Sequence, residues 1–434
     1  MLSFIDNKIS QLEKTLGLHS QQYPDLEYLT VTPGKLLPQI LSASTLFVGD
    51  NLTFLKHFAH HSPNIVDLCY IDPPYNTGNK FLYHDSRKSE LSGPFGTHSE
   101  WMGFMLPRLV MARELLKNTG IIAVSIDDYE QVYLKVLMDH IFGEKNFIGN
   151  IVVCRSKNGK GSKRNIAPSH EYLLIYGKTS EAELVGQPDD HDSYNKTDKY
   201  GHYRIDGLFR KKGEASLRTD RPNMFYPLYF DAQTNRVSVD PMPGWGMVFP
   251  IDSKGIERRW LWSCDTARER AWQLYASQKG VIYVKNYASN DKNKRTKVRT
   301  LWSDTSFYTE RATNEMTKLF GTKVFDTPKP LEYIKAIINS MASSEAIILD
   351  FFAGSGTTAH AAAMLNQADT GNRKTILMET DSLIPEQHVA YSSGFKQISD
   401  ITKARLEMLR NQITGFSYET FHTEMKPKMA YNIQ

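Results

Sequence analysis

Val66-Asp67-Leu68-Cys69-Tyr70-Ile71-Asp72-Pro73-Pro74-Tyr75 is an apolar run that ends on an acid, two prolines and an aromatic ring. A short apolar run closed by turn residues reads as a buried strand that breaks at its C-terminal edge, where open α/β sheets place their ligands. A second stretch, far along the chain, repeats the pattern. Ala346 to Leu349 runs into Asp350-Phe351-Phe352-Ala353-Gly354-Ser355-Gly356-Thr357-Thr358, and a helix is expected from His360 to Leu365. The first turn offers a carboxylate, rigid carbonyls and an aromatic face. The second is a glycine-rich turn opening onto a helix. Together they point to a nucleotide-like cofactor beside a flat, planar substrate.

Outward from these turns the pattern alternates strand and helix. Strands are expected at Leu46 to Val48, Ile121 to Ile126, Ile148 to Val153, Tyr172 to Tyr176 and Thr375 to Met378, with the third and fourth reading as a hairpin. Helices are expected at Phe104 to Leu116, Tyr129 to Ile141, Leu331 to Met341 and Ile398 to Leu409. The fold class is therefore α/β with a mostly parallel sheet. Between about Thr179 and Phe325 the chain turns aromatic, polar and irregular, with strand-like pieces such as Val281 to Val284, which reads as an insertion within the sheet domain. Before Ser44, helical spacing from Asp6 to Leu16 is followed by a proline-punctuated stretch. It reads equally as a partner arm or as a helix packed on the core.

Composition decides less. The 434 residues suffice for a large core and two domains. A net charge of +4 and a pI of about 8.6 permit nucleic acid without demanding it. Cys69, Cys154 and Cys264 have neither metal spacing nor a disulfide framework, so no metal is expected and a reducing cytoplasm fits. No apolar run is long enough for a membrane span.

The two turns resemble the motifs of the amino-methyltransferases that use S-adenosylmethionine to methylate the exocyclic amine of adenine or cytosine in DNA. Asp72-Pro-Pro-Tyr75 preceding the glycine turn is similar to the circularly permuted order of their β class. Gly49-Asp50-Asn51-Leu52, Trp101 with Pro107-Arg108-Leu109, Val124 to Asp128, Ile141 to Glu144, His170-Glu171-Tyr172, Arg218 to Asn223 and Pro328-Lys329-Pro330 extend the likeness over most of the chain. They point more closely to the modification subunit of type III restriction-modification systems. The resemblance implies a Rossmann-like methyltransferase fold with a target-recognition domain at the insertion. The chain then divides into an arm (1–44), a catalytic half (45–178), the insertion (179–325), and a cofactor half with a C-terminal helix (326–434). It also implies double-stranded DNA as substrate, a homodimer, a bacterial cytoplasmic setting and a restriction subunit as further partner. Such modification subunits are usually longer, which leaves a solitary methyltransferase open.

An exocyclic amine on an aromatic ring is a poor nucleophile because its lone pair is delocalised. Accepting the amine's hydrogens frees that pair, and Asp72 with the Pro73 carbonyl is placed to do so, the prolines (Pro73, Pro74) fixing the backbone and leaving carbonyls unpaired. Tyr75 is expected to stack on a base flipped from the duplex. For the cofactor, Gly354 and Gly356 permit a sharp turn and a close backbone approach. The segment is neither a dinucleotide fingerprint nor a P-loop. The resemblance places Asp350, Phe352 and Asp72 beside the methionine part, with Thr357 and Thr358 as further contacts. It puts Glu379 on the ribose (Asp381 competes), Asp50 on the adenine, and Lys329 near the methionine moiety.

The DNA-binding candidates are distributed. Arg155, Lys157, Lys160, Lys163 and Arg164 lie in a glycine-punctuated basic loop, and Lys285 to Arg299 is a second basic stretch. Arg218, Arg221 and Asn223 sit in the insertion beside Phe225 and Tyr226. Phosphate contacts supply affinity, and contacts to base edges supply sequence choice. The acid of the Asp-Pro-Pro-Tyr motif leans towards adenine N6 rather than cytosine N4, which remains the alternative.

Overall fold

A computed structural model describes residues 42–77, 98–159, 165–189, 193–288 and 295–422. The expected arm (1–44) and Lys160, Lys163 and Arg164 fall almost wholly outside these ranges. The chain divides into two compact units. One runs to Gln187 and resumes at Lys297; the other is Pro188–Thr296. Residues 179–187 and 297–325, grouped with the insertion on composition alone, cluster with the first unit.

The first unit is built on a nine-stranded sheet. In chain order its strands are β1 (Ser44–Val48), β2 (Val66–Ile71), β3 (Leu116–Ile126), β4 (Phe147–Cys154), β5 (His170–Gly177), β6 (Leu301–Trp302), β7 (Ile347–Asp350), β8 (Lys374–Glu379) and β9 (Tyr418–His422). Their spatial order is β6-β4-β5-β3-β2-β7-β8-β1-β9. Every pairing is parallel except those of β5 with β3 and β4. β2 lies directly beside β7, with Leu68 opposite Ile348 and Cys69 opposite Leu349. Neighbouring strands almost 280 residues apart in the chain make this the switch point of the sheet.

Both faces are covered, so the central strands are apolar throughout rather than alternating. α1 (Asn51–His61), α2 (His98–Leu115) and α3 (Gln131–Phe142) bury Phe54, Trp101, Leu109 and Leu137 on one face. On the other, α5 (Leu331–Met341) and α6 (Thr357–Asp369) bury Tyr333, Ile337, Ile338 and Ala361. Each such aliphatic side chain removed from water contributes about 1.5–3 kcal/mol. α2 carries Pro107 in its interior, a residue that costs a helix about 3 kcal/mol; beside it Arg108 Nη1 donates to the Phe104 carbonyl (2.8 Å). α4 (Thr309–Phe320) and α7 (Ile398–Gln412) complete the unit. Among the described residues no helix is long and apolar enough to cross a membrane.

The second unit holds a four-stranded antiparallel sheet (Leu274–Ala276, Ile282–Tyr287, Gly201–Leu208, Lys196–Asp198) and a three-stranded one (Arg236–Ser238, Leu228–Asp231, Gly246–Val248). Its core gathers Phe209, Tyr226, Leu228 and Trp260, with Phe209 stacked on Trp260 at 5.3 Å.

Candidate active site

Four carboxylates gather at the carboxyl edge of four adjacent parallel strands: Asp72 after β2, Asp350 ending β7, Glu379 ending β8 and Asp50 after β1. Sheet geometry alone brings them together, since Asp350 sits opposite Leu377, and Val48 opposite Glu379.

The glycine turn is clasped from two sides. Asp350 accepts from the Phe352 amide (3.1 Å) and from Thr358 Oγ1 (2.5 Å). Glu379 accepts from the Gly354 amide (2.5 Å) and the Thr380 amide (2.9 Å). Gly354 and Gly356 have φ of 53° and 79°, the left-handed region that disfavours any Cβ. A Cβ at Gly354 would also lie 3.2 Å from Phe325 Cζ, and one at Gly356 3.2 Å from Thr402 Cγ2. These glycines are needed for the turn's own packing. Thr357 is buried, and its hydroxyl accepts from Arg405 Nη1 (2.5 Å). Asp381 is exposed, so of the two competing acids Glu379 is the one against the turn.

Burial pushes the Asp350 carboxyl up to about 7 despite its two hydrogen bonds, with the Asp72 charge adding to the shift. Burial likewise pushes Glu379 up to about 7, with Asp350 adding. Such a pair is held partly protonated near neutrality and favours a ligand with positive charge and hydroxyl donors. Asp50 caps α1 through the Thr53 amide (3.2 Å) and pairs with Arg108 (3.1 Å). Asn51 Nδ2 donates to the Phe351 carbonyl (2.7 Å) while Asn51 Oδ1 accepts from Arg108 Nε (2.7 Å), tying α1 and α2 to the turn. Phe352 lies 6.0 Å from Phe104, giving the site an aromatic wall.

Around Asp72 a charged cluster forms. Lys329 Nζ lies 3.0 Å from Asp72 Oδ1 and 3.2 Å from Glu171 Oε2, and donates to Tyr75 Oη at 2.7 Å. It also sits 4.8 Å above the Tyr75 ring centroid. Tyr75 Oη donates to Glu171 (3.4 Å), and Arg155 Nη1 reaches the same carboxylate at 3.8 Å. Burial alone would depress the Lys329 ammonium; the Asp72 and Glu171 charges outweigh it and hold the group above the ordinary lysine value. Burial, with Asp72 and Glu171, raises the Tyr75 phenol well above its usual range. The Pro74 carbonyl is committed to the fold, accepting from Trp101 Nε1 at 2.8 Å, contrary to the expectation that both proline carbonyls stay free. The turn closes at Asn76 (φ 57°), whose Nδ2 donates to the buried Glu130 at 2.7 Å.

Of the DNA-binding candidates, Arg155 faces Glu171 and Lys157 is exposed. In the second unit Arg218 pairs with Glu257 (2.9 Å) and lies 4.2 Å over Phe225, while Arg221 and Asn223 are exposed. Glu171, Trp101 and Arg108 stood in segments carrying the family likeness without an assigned role. Glu130 had no sequence signal; burial alone reveals it.

The N6/N4 DNA methylase family matches residues 66–382, both turns included. The chain belongs to this family. It is 63% identical over 413 residues to the type II methyltransferase M.KpnI of Klebsiella pneumoniae, covering 95% of this chain and 98% of that protein. It is 34% identical to the type III EcoPI Mod subunit of Escherichia phage P1, over 87% of this chain and 63% of that subunit. The StyLTI Mod subunit of Salmonella typhimurium is 32% identical, over 90% of this chain and 60% of that subunit. The chain is a DNA methyltransferase, and it spans about three-fifths of those type III subunits.

Proposed function

We propose that this methyltransferase acts on the N6 amine of adenine in double-stranded DNA, with S-adenosylmethionine as donor. The observation that carries the reading is the placement of Asp72 beside the clasped glycine turn on adjoining strands, with Tyr75 next to it. The donor set fits the cofactor. Asp350 is a buried acceptor and Glu379 a half-buried one, whose ionised forms a positive ligand with ribose hydroxyls would favour, and Phe352 and Phe104 supply apolar walls. When bound, that cofactor supplies a methyl group on a sulfonium, open to direct displacement.

The chain's own residues do the rest. Asp72 accepts a hydrogen of the target amine, drawing it out of conjugation so that its lone pair points at the methyl carbon. Positive charge grows on the nitrogen as the new bond forms, and the Asp72 carboxylate offsets it. Tyr75 stacks on the base, which must leave the duplex because its amine is otherwise in the stack. The exposure of Lys157 in the first unit, and of Arg221 and Asn223 in the second, supports a role for each in DNA contact.

The match along almost the whole of a type II enzyme supports recognition and transfer by one chain of this length. A restriction subunit as partner is the second reading, favoured by the two type III relatives. Modified-base sequencing of DNA from a methylation-free bacterium expressing the chain separates them. N6-methyladenine on both strands of a short palindrome supports the first. Modification on one strand of an asymmetric site supports the second, and N4-methylcytosine would overturn the choice of base.

A further inference from the structure

Lys329 Nζ donates to Glu171 Oε2 (3.2 Å) and to Tyr75 Oη (2.7 Å), and lies 3.0 Å from Asp72 Oδ1 as an ion pair, that buried oxygen having no hydrogen-bond partner among the described residues. In this arrangement the cation stands beside the carboxylate that methyl transfer needs. An ammonium 3.0 Å from Asp72 leaves that oxygen without a hydrogen bond, but its charge opposes the positive charge growing on the target amine. Glu171 is the counterweight. It is 4% exposed, comes from β5 rather than from either motif turn, and has Arg155 at 3.8 Å as a second cation. We infer that Glu171 is a positioning residue for methyl transfer: it shares the Lys329 ammonium with Asp72 in the free protein and retains it when Asp72 turns to the amine.

Geometry supports retention on Glu171. Tyr75 Oη accepts from Lys329 and donates to Glu171, so the three groups close a ring that survives when the Asp72 contact opens. Two cations face two carboxylates in the cluster. Removing the Glu171 charge leaves Lys329 with Asp72 as its sole acidic partner among these contacts.

The inference rests on the methyl-transfer reading, which the unsubstituted chain tests by itself in the same assay. The variants are Glu171→Gln, which keeps the shape and removes the charge, Glu171→Asp, and the double variant Glu171→Gln with Lys329→Met. For Glu171→Gln, kcat is expected to fall about thirtyfold while KM for DNA and for cofactor stays within about twofold. Glu171→Asp should fall between this and the parent. In the double variant, removal of the stranded cation should raise kcat above that of Glu171→Gln alone. An unchanged kcat for Glu171→Gln, a loss confined to KM, or a double variant slower than Glu171→Gln would each overturn the assignment.

Discussion

At the scale of the residue, the proposed reaction turns on Asp72 and the groups around it. Asp72→Asn leaves Lys329 paired with Glu171 at 3.2 Å, so the fold should hold while methyl transfer drops by about a thousandfold or more. A cofactor affinity that falls far less than the rate, by calorimetry, is the expected pattern. Tyr75 carries two roles. Its hydroxyl links Lys329 to Glu171 and its ring is proposed to stack on the base, so Tyr75→Phe should cost roughly tenfold and Tyr75→Ala a further tenfold or more. Equal losses would assign the whole effect to the hydroxyl. Asp350 gives a pH signature. Its folded carboxyl sits at about 7, well above the unfolded value near 3.9. The folded state therefore binds the proton more tightly, and the associated stability is full below about pH 4 and lost as pH rises through 7. Asp350→Asn removes that dependence. Its thermal stability relative to the parent should improve between pH 5 and pH 8, by on the order of a few kcal/mol, while cofactor binding is lost.

At the scale of the element, the glycine turn is the tightest constraint. Gly354→Ala places a Cβ in left-handed backbone (φ 53°) and 3.2 Å from the Phe325 ring. A loss of about 1–2 kcal/mol in melting experiments is expected, with cofactor affinity weakened because the amide given to Glu379 shifts. This turn and its strand were legible in sequence, as were β2, β8 and α5, because each is a short apolar run closed by a strong breaker. α1 escaped notice since its buried face is little more than Phe54, Leu55 and Phe58. β9 escaped because Tyr418–His422 is a half-exposed edge strand with polar residues between its rings. β3 begins five residues early, running through the polar Lys117 to Gly120. The acids of the site were readable one strand at a time. The Lys329–Glu171 contact was not, since its partners are 158 residues apart and only the sheet order brings them together.

At the scale of the whole molecule, composition marked an insertion but misplaced its edges. Residues 297–325 are polar, yet β6 pairs with β4 and thus belongs to the main sheet. Within the second unit Arg221 is exposed, and phosphate contact predicts a specific signature. Arg221→Ala should weaken DNA binding, reduce the slope of log affinity against log salt by about one, and leave kcat at saturating DNA unchanged. The central claim is tested most directly by incubating the purified chain with unmethylated bacterial DNA and S-adenosylmethionine labelled in its methyl group, then identifying labelled nucleosides by mass spectrometry. Label in N6-methyldeoxyadenosine, absent with Asp72→Asn, is the expected result; label in another nucleoside, or equal label with Asp72→Asn, would contradict the account.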